Sequence, residues 1–321
     1  MTTHDDFLTP EAVMQALESR LGRVHARQRL GIERDHEAQA FGQGLNFFHI
    51  ENMPWSNAII ESVLRATGFY WPGRANAVKV ELRTNEVRSP RLPAAFDGFS
   101  ILHLSDLHTD LSQRAMRRTA EIAQQARYDL CVMTGDFRAL TFGPYQPCLR
   151  ELRRLREALR GDVYAVLGNH DTILMAPDLE RMGVKLLLNE TAEIARGPER
   201  FFLAGVDDAH FYRVDNIEKA AHDIPHEAFS ILLSHTPEIY RQAAHAGFDL
   251  MLSGHTHGGQ ICLPGGVPVT LDANLPRRMA RGAWRHGDMA GYTSAGAGSC
   301  IVPVRFNCPP EVTLHVLRRA E

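Results

Sequence analysis

One local pattern constrains this 321-residue chain more than any other: a short apolar run that ends in a cluster of Asp, Asn, His and Gly. The pattern occurs five times. Residues 101–104 lead into Asp106-Leu107-His108, 130–133 into Gly135-Asp136, and 163–167 into Gly168-Asn169-His170-Asp171. Residues 231–233 lead to His235, and 250–252 to Gly254-His255-Thr256-His257-Gly258-Gly259. Apolar runs of this length, bounded by turn residues, read as buried strands. Further strands are predicted at 184–188 and 201–204, and helices at 112–127, 145–160, 177–182, 215–222 and 236–246. The alternation argues for an α/β protein with central sheet and outer helices. All five polar clusters fall at C-terminal strand ends, where open α/β sheets gather their ligands.

Singly, each cluster is weak. Gly-Asp is usually a turn, Asp-x-His a turn beside a surface imidazole, and His-x-His a packing pair. Together they supply three carboxylates (Asp106, Asp136, Asp171), the Asn169 carboxamide and five imidazoles (His108, His170, His235, His255, His257). Mixed carboxylate and imidazole donors suit divalent Mn, Fe, Zn or Co. No cysteine lies in the clusters, which disfavours a thiolate zinc site. Two ions ~3.5–4 Å apart need a shared ligand, and a carboxylate is the natural one; Asp136 is the candidate. Such a pair generates hydroxide near neutral pH and clamps a phosphoryl group for in-line attack.

In order and residue type, these clusters resemble the five-motif signature of the calcineurin-like metallophosphoesterases. Gly-His-Thr-His-Gly-Gly-Gln at 254–260 and the tail segments Ser294–Ser299 and Pro303–Glu311 narrow the likeness. They are similar to a bacterial branch of stand-alone phosphodiesterases that includes membrane-linked members and UDP-2,3-diacylglucosamine pyrophosphatases. The resemblance covers roughly 78–318. It implies an α/β sandwich, with mixed central sheets flanked by helices, as a catalytic domain over 78–321. Residues 1–77 become an extra helical, aromatic-rich segment. It implies two divalent ions, Mn2+ foremost and Fe2+, Zn2+, Mg2+ or Co2+ as others. Asp106, His108 and His257 would hold one, Asn169, His235 and His255 the second, with Asp136 bridging. His170 would protonate the leaving oxygen, Asp171 would orient that imidazole, and a metal-bridged hydroxide would attack. From the sequence alone, a reading of His170 as a further metal ligand stays open; the resemblance favours the acid role.

The implied activity is hydrolysis of phosphodiester or pyrophosphate bonds. A narrower alternative is the UDP-2,3-diacylglucosamine pyrophosphatase of lipid A synthesis; a remote one is a non-catalytic scaffold. The protein Ser/Thr phosphatase motif Gly-Asp-x-x-Asp-Arg-Gly is not matched by 135–141. Ala139 stands where purple acid phosphatases carry a tyrosine ligand. Arg138 is a candidate for a substrate phosphate, or a plain salt bridge. Asp207, Asp208 and His210 read as site rim or as a turn.

Net charge is −3, from 35 basic and 38 acidic residues. That balance gives no general pull toward nucleic acid or anionic membrane, and no nucleic-acid partner is expected. Five cysteines without a Cys-x-x-Cys pair suit a reducing, cytoplasmic setting. Acidic residues at the N-terminus argue against a secretory leader, and no apolar run is long enough to span a bilayer.

Thr9-Pro10 signals a helix start, and Val13, Leu17, Leu21 and Val24 predict one apolar stripe on a helix fading before Gly42. Ser56 is a candidate cap for a helix to about Thr67, and Val78, Val80 and Leu82 alternate as in a strand. The aromatic-rich stretch 45–71 has two readings. It is a satellite core, or an apolar patch that touches the inner membrane peripherally and suits a lipid-linked substrate.

Overall fold

The computed structural model describes residues 7–38 and 54–320. Thr9 caps the first helix, α1 (Pro10–Leu21), its hydroxyl accepting the Ala12 amide at 3.3 Å. The single helix expected from the apolar stripe is in fact two. Gly22 turns into the left-handed region (φ 81°), where glycine has no Cβ penalty, and α2 (Arg23–Ala38) sets off anew. Val24, expected on the stripe, is exposed. Val13 and Leu17 of α1 and Ala26 and Leu30 of α2 are buried in one cluster with Leu102, Leu104 and Met133.

α3 (Pro54–Ala66) starts two residues before the expected cap Ser56, and α4 (Tyr70–Ala77) follows. The described part of the stretch 45–71 packs on one side and is exposed on the other. Ile60, Leu64 and Tyr70 pack with Val302, Val304 and Phe306, while Ile59, Val63, Phe69 and Trp71 are exposed. Positions 45–53 lie outside the described residues. The strand expected over 78–82 begins later, because α4 and its cap at Val78 occupy the chain up to that point.

The described residues build two six-stranded sheets. The first holds β1 (Glu81–Ser89), β2 (Ser100–Leu104), β3 (Leu130–Thr134), β4 (Val163–Val166), β5 (Val184–Leu186) and β14 (Glu311–Arg319), in the order β1-β14-β2-β3-β4-β5. The second holds β6 (Glu190–Arg196), β7 (Glu199–Gly205), β8 (Ser230–Leu233), β9 (Leu250–Ser253), β12 (Gly282–His286) and β13 (Met289–Thr293), ordered β12-β13-β9-β8-β7-β6. A small antiparallel pair, β10 (Cys262–Leu263) and β11 (Val267–Pro268), stands apart. β2 to β5 run parallel, as do β7, β8, β9 and β13; β14 against β2, β6 against β7 and β12 against β13 are antiparallel. The mixed α/β sandwich expected from the resemblance is therefore present.

The inner faces of the sheets meet through Ile101, Val132, Val166, Leu203, Ile231, Leu252 and Leu317. On the outer face of the first sheet lie α1, α2, α5 (Gln113–Gln125), α6 (Gln146–Ala158) and α7 (Ala176–Arg181). The second sheet is covered by α8 (Ile217–Ala221) and α9 (Tyr240–His245). No helix among the described residues is long and apolar enough to cross a membrane.

Candidate metal centre

Strands β2, β3 and β4 of one sheet and β8 and β9 of the other end at the same edge of the sandwich. Their following loops are laced together by main-chain bonds. The Asp106 amide donates to the Gly135 carbonyl at 3.1 Å, His108 to Asp136 at 3.0 Å, and Gly254 to His235 at 2.8 Å. The His255 amide donates to Asp106 Oδ1 at 2.9 Å and joins the two sheets. Two glycines are dictated by this closeness. A Cβ at Gly168 would collide with the Asp136 carboxylate, and one at Gly254 with Ser105 and Asp106.

Five of the site residues hold left-handed backbone conformations: Asp106 (φ 48°), His108 (39°), Asp136 (55°), His255 (69°) and His257 (49°). Each such non-glycine residue costs on the order of 1–3 kcal/mol, so the surrounding fold must impose it.

The side chains converge. Asp106, His108 and Asp136 bring ligand atoms within 4.8 Å of one another, and so do Asp136, His235 and His255. His235 Nε2 is 3.2 Å from Asp136 Oδ2 and 2.9 Å from Asn169 Oδ1. His108 Nε2 is 3.1 Å from His257 Nε2, which lies 3.6 Å from Asp106 Oδ1. All of these residues are buried.

The tautomers show which atoms face inward. His108 Nδ1 donates to the Arg138 carbonyl at 2.8 Å and His235 Nδ1 to the Thr134 carbonyl at 2.7 Å. With Nδ1 turned outward onto a carbonyl, Nε2 is the ring atom that faces the cluster, as a carbonyl-anchored imidazole presents itself to a metal. Inward-facing nitrogens crowd carboxylate oxygens, a donor set that fits divalent cations.

Electrostatics mark the same spot. Burial pushes Asp106 up to about 6. Burial opposes charge on Asp136 too, yet His235 and His170 outweigh it and hold that carboxyl well below the usual range. His235 is disfavoured as a cation by burial, but Asp136 and Asp106 push it up to about 10. Burial and neighbouring imidazoles hold His255 and His257 well below the ordinary histidine value.

His170 sits at the cluster's edge, its Nε2 3.8 Å from Asp136 Oδ2. Asp171, expected to orient that ring, acts on the loop's main chain: its oxygens accept the amides of Phe137 and Gly168, each at 2.9 Å. Burial raises Asp171 to about 6. Arg138 is tied into the same loop. It is buried and its guanidinium donates to the carbonyls of His170 (2.5 Å), Gly143 (2.9 Å) and Thr141, so it braces the loop.

Asp207 and Asp208 combine both earlier readings. Asp208 accepts the amides of Phe211 and Tyr212 in a turn, and that turn brings His210 to the rim, its ring 4.1 Å from that of His255. Glu238 Oε2 lies 2.6 Å from His210 Nδ1. Sequence reasoning missed two more residues. Cys300 Sγ lies within 4.8 Å of His108 and His257 ligand atoms. Buried Arg305 places Nη2 3.2 Å from His257 Nδ1 and donates to the Ala295 and Gly298 carbonyls. Both fall in the tail, and a buried arginine there is legible only from contacts.

The calcineurin-like phosphoesterase family model matches residues 99–259. The metallophosphoesterase YkoQ of Bacillus subtilis is 30% identical over 265 residues, 79% of this chain and 96% of its own. A second B. subtilis metallophosphoesterase, YkuE, is 28% identical, covering 81% of this chain and 94% of its own. Phosphodiesterase YaeI of Escherichia coli is 28% identical, covering 67% and 81%. Clustered donors, strand-end placement and these matches agree: the chain belongs to the calcineurin-like phosphoesterase family, hydrolases of phosphoester bonds.

Proposed function

We propose that the chain hydrolyses phosphodiester or pyrophosphate bonds with two divalent cations. The observation that carries this reading is Asp136, which belongs to both carboxylate–imidazole triplets, as a ligand shared by two ions must. Asp106, His108 and His257 would hold one cation, and Asn169, His235 and His255 the other. When bound, such ions bring the pKa of water toward neutrality and offset charge on phosphoryl oxygens. Mn2+ leads among the ions that suit this donor set, with Fe2+, Zn2+ and Co2+ beside it.

The chain's own part is positioning and proton transfer. His170, on a loop gripped from both sides, would donate its proton to the leaving oxygen, a role worth ~10²–10⁴ in rate. Asp171 and Arg138 fix the main chain on either side of that ring. YaeI, a phosphodiesterase by name, favours diesters. Exposed Ile59, Val63, Phe69 and Trp71 support a substrate with a lipid portion. UDP-2,3-diacylglucosamine is the specific case, decided by assaying UMP release.

The test is turnover of bis(p-nitrophenyl) phosphate. Asp136→Asn and His255→Ala should each lower kcat by at least ~10²-fold while circular dichroism stays native. Near-normal turnover in both variants refutes the site assignment. A panel of mono-, di- and pyrophosphates with Mn2+, Mg2+, Zn2+ and Fe2+ then fixes substrate class and metal.

A further inference from the structure

Outside the residues matched by the family model, α2 sends two charged side chains into the catalytic edge. Arg29 is completely buried, although it is an arginine on a surface-layer helix. Its Nη1 lies 2.9 Å from Glu33 Oε1, one helical turn on, and its Nε lies 3.3 Å from Asp207 Oδ2. Its guanidinium carbon stands 3.7 Å over the Tyr212 ring, and Nη2 donates to the Asp171 carbonyl at 3.3 Å. Glu33 completes the grip. Its Oε1 accepts the Ile173 amide at 2.8 Å and its Oε2 the Thr172 hydroxyl at 2.5 Å. Three consecutive residues after His170 are thus bonded to one turn of α2.

The other side of the loop is fastened from β3. Asp136 Oδ1 accepts the His170 amide at 2.9 Å, and Arg138 Nε donates to the His170 carbonyl. His170 is therefore suspended between two polar clamps, one from the sheet and one from the N-terminal helices. A buried ion pair contributes little net stability compared with an apolar contact of the same volume. What Arg29 and Glu33 add is direction, because every bond they make to the loop fixes a named atom.

We propose that Arg29 and Glu33 are positioning residues for hydrolysis: they hold 171–173 so that the His170 imidazole faces the oxygen that leaves phosphorus. The proposal rests on the reading of His170 as general acid. In that step water oxygen bonds to phosphorus and the bond to the leaving oxygen breaks with its electron pair. That oxygen takes the His170 proton, and the proton lost by the attacking water restores the imidazolium. A misplaced acid hurts most where the leaving group is a poor one. Displacement near 1 Å costs about 10²-fold.

The experiment uses the whole 321-residue chain loaded with Mn2+ and aryl methyl phosphodiesters whose leaving phenols run from p-nitrophenol to phenol. The variants are Glu33→Gln, Thr172→Val and His170→Ala, with native circular dichroism and thermal midpoint as the folding check. Glu33→Gln and Thr172→Val should lower kcat for the phenol ester by about 10- to 10²-fold, leave the p-nitrophenol ester near wild type, and leave KM unchanged. Combined with His170→Ala, Glu33→Gln should add no further loss. A uniform loss across leaving groups, wild-type behaviour, or an additive loss in the double variant overturns the positioning role. If His170→Ala itself shows no dependence on the leaving group, the acid reading falls first and takes the proposal with it.

Discussion

His103 and His315 lie side by side on β2 and β14, both fully buried, and neither belongs to the metal centre. They form the middle of a relay that reaches it. Asn85 Nδ2 is 3.0 Å from His315 Nδ1, His315 Nε2 3.2 Å from His103 Nδ1, and His103 Nε2 2.9 Å from the Thr134 hydroxyl. Thr134 donates to Ser105 at 2.7 Å and Ser105 to Asp106 Oδ2 at 2.6 Å. Burial pushes His103 down to about 3 and His315 well below its ordinary value. The folded pair thus stays neutral while an unfolded histidine takes up a proton below pH ~6.5. Stability is complete above that pH and falls as pH drops below it toward the folded values. Urea unfolding should show a decline below pH 6.5 that His315→Asn makes shallower by roughly 1 kcal/mol per pH unit. An unchanged slope would remove the pair from the acid response. At this scale, residue types alone announced Asp106, Asp136 and the clustered histidines, because turn glycines and strand ends are local signals. Arg29 and Arg305 were silent, since an arginine's burial depends on acceptors far along the chain.

Among the elements between 100 and 253, the expected strands and helices are present within a few residues, while β6 was not anticipated. Departures have local causes. Gly22 breaks one helix into two, and α4 displaces the first strand. β14 was not anticipated, yet it lies between β1 and β2 in the first sheet; its pairing partners are over 200 positions away, beyond the reach of local patterning. α3 and α4 carry their own prediction. They pack half-buried Ile60 and Leu64 and buried Tyr70 inward and expose Ile59, Val63, Phe69 and Trp71, the amphipathic division that a peripheral membrane contact would need. The peripheral-contact reading expects the intact chain to co-sediment with neutral and anionic vesicles alike, and Phe69→Ser/Trp71→Ser to lose that binding. Full recovery of the intact protein in the supernatant sinks the peripheral-contact reading.

For the whole molecule, the centre gathers carboxylate and imidazole donors that only the folded chain brings together. Binding to the folded state alone should therefore stabilise the entire sandwich. At free Mn2+ 100-fold above Kd the gain is about 2.7 kcal/mol, or roughly 4 °C in Tm for a chain of this size. Calorimetry of chelator-treated protein with Mn2+ added back should show that rise in the wild type and none in Asp136→Asn. Equal shifts in both would place the binding elsewhere. The amino-acid sequence by itself determined the chemistry: which donors exist, and that each follows a strand, since side-chain type and short-range periodicity are written along the chain. Only the tertiary structure decided that β2–β4 and β8–β9 belong to different sheets sharing one edge, that Asp136 stands in both triplets, and that α2 reaches the His170 loop. Those outcomes depend on packing between segments up to some 150 positions apart, where local pattern carries no force and the burial of two sheets and their helices selects the partners.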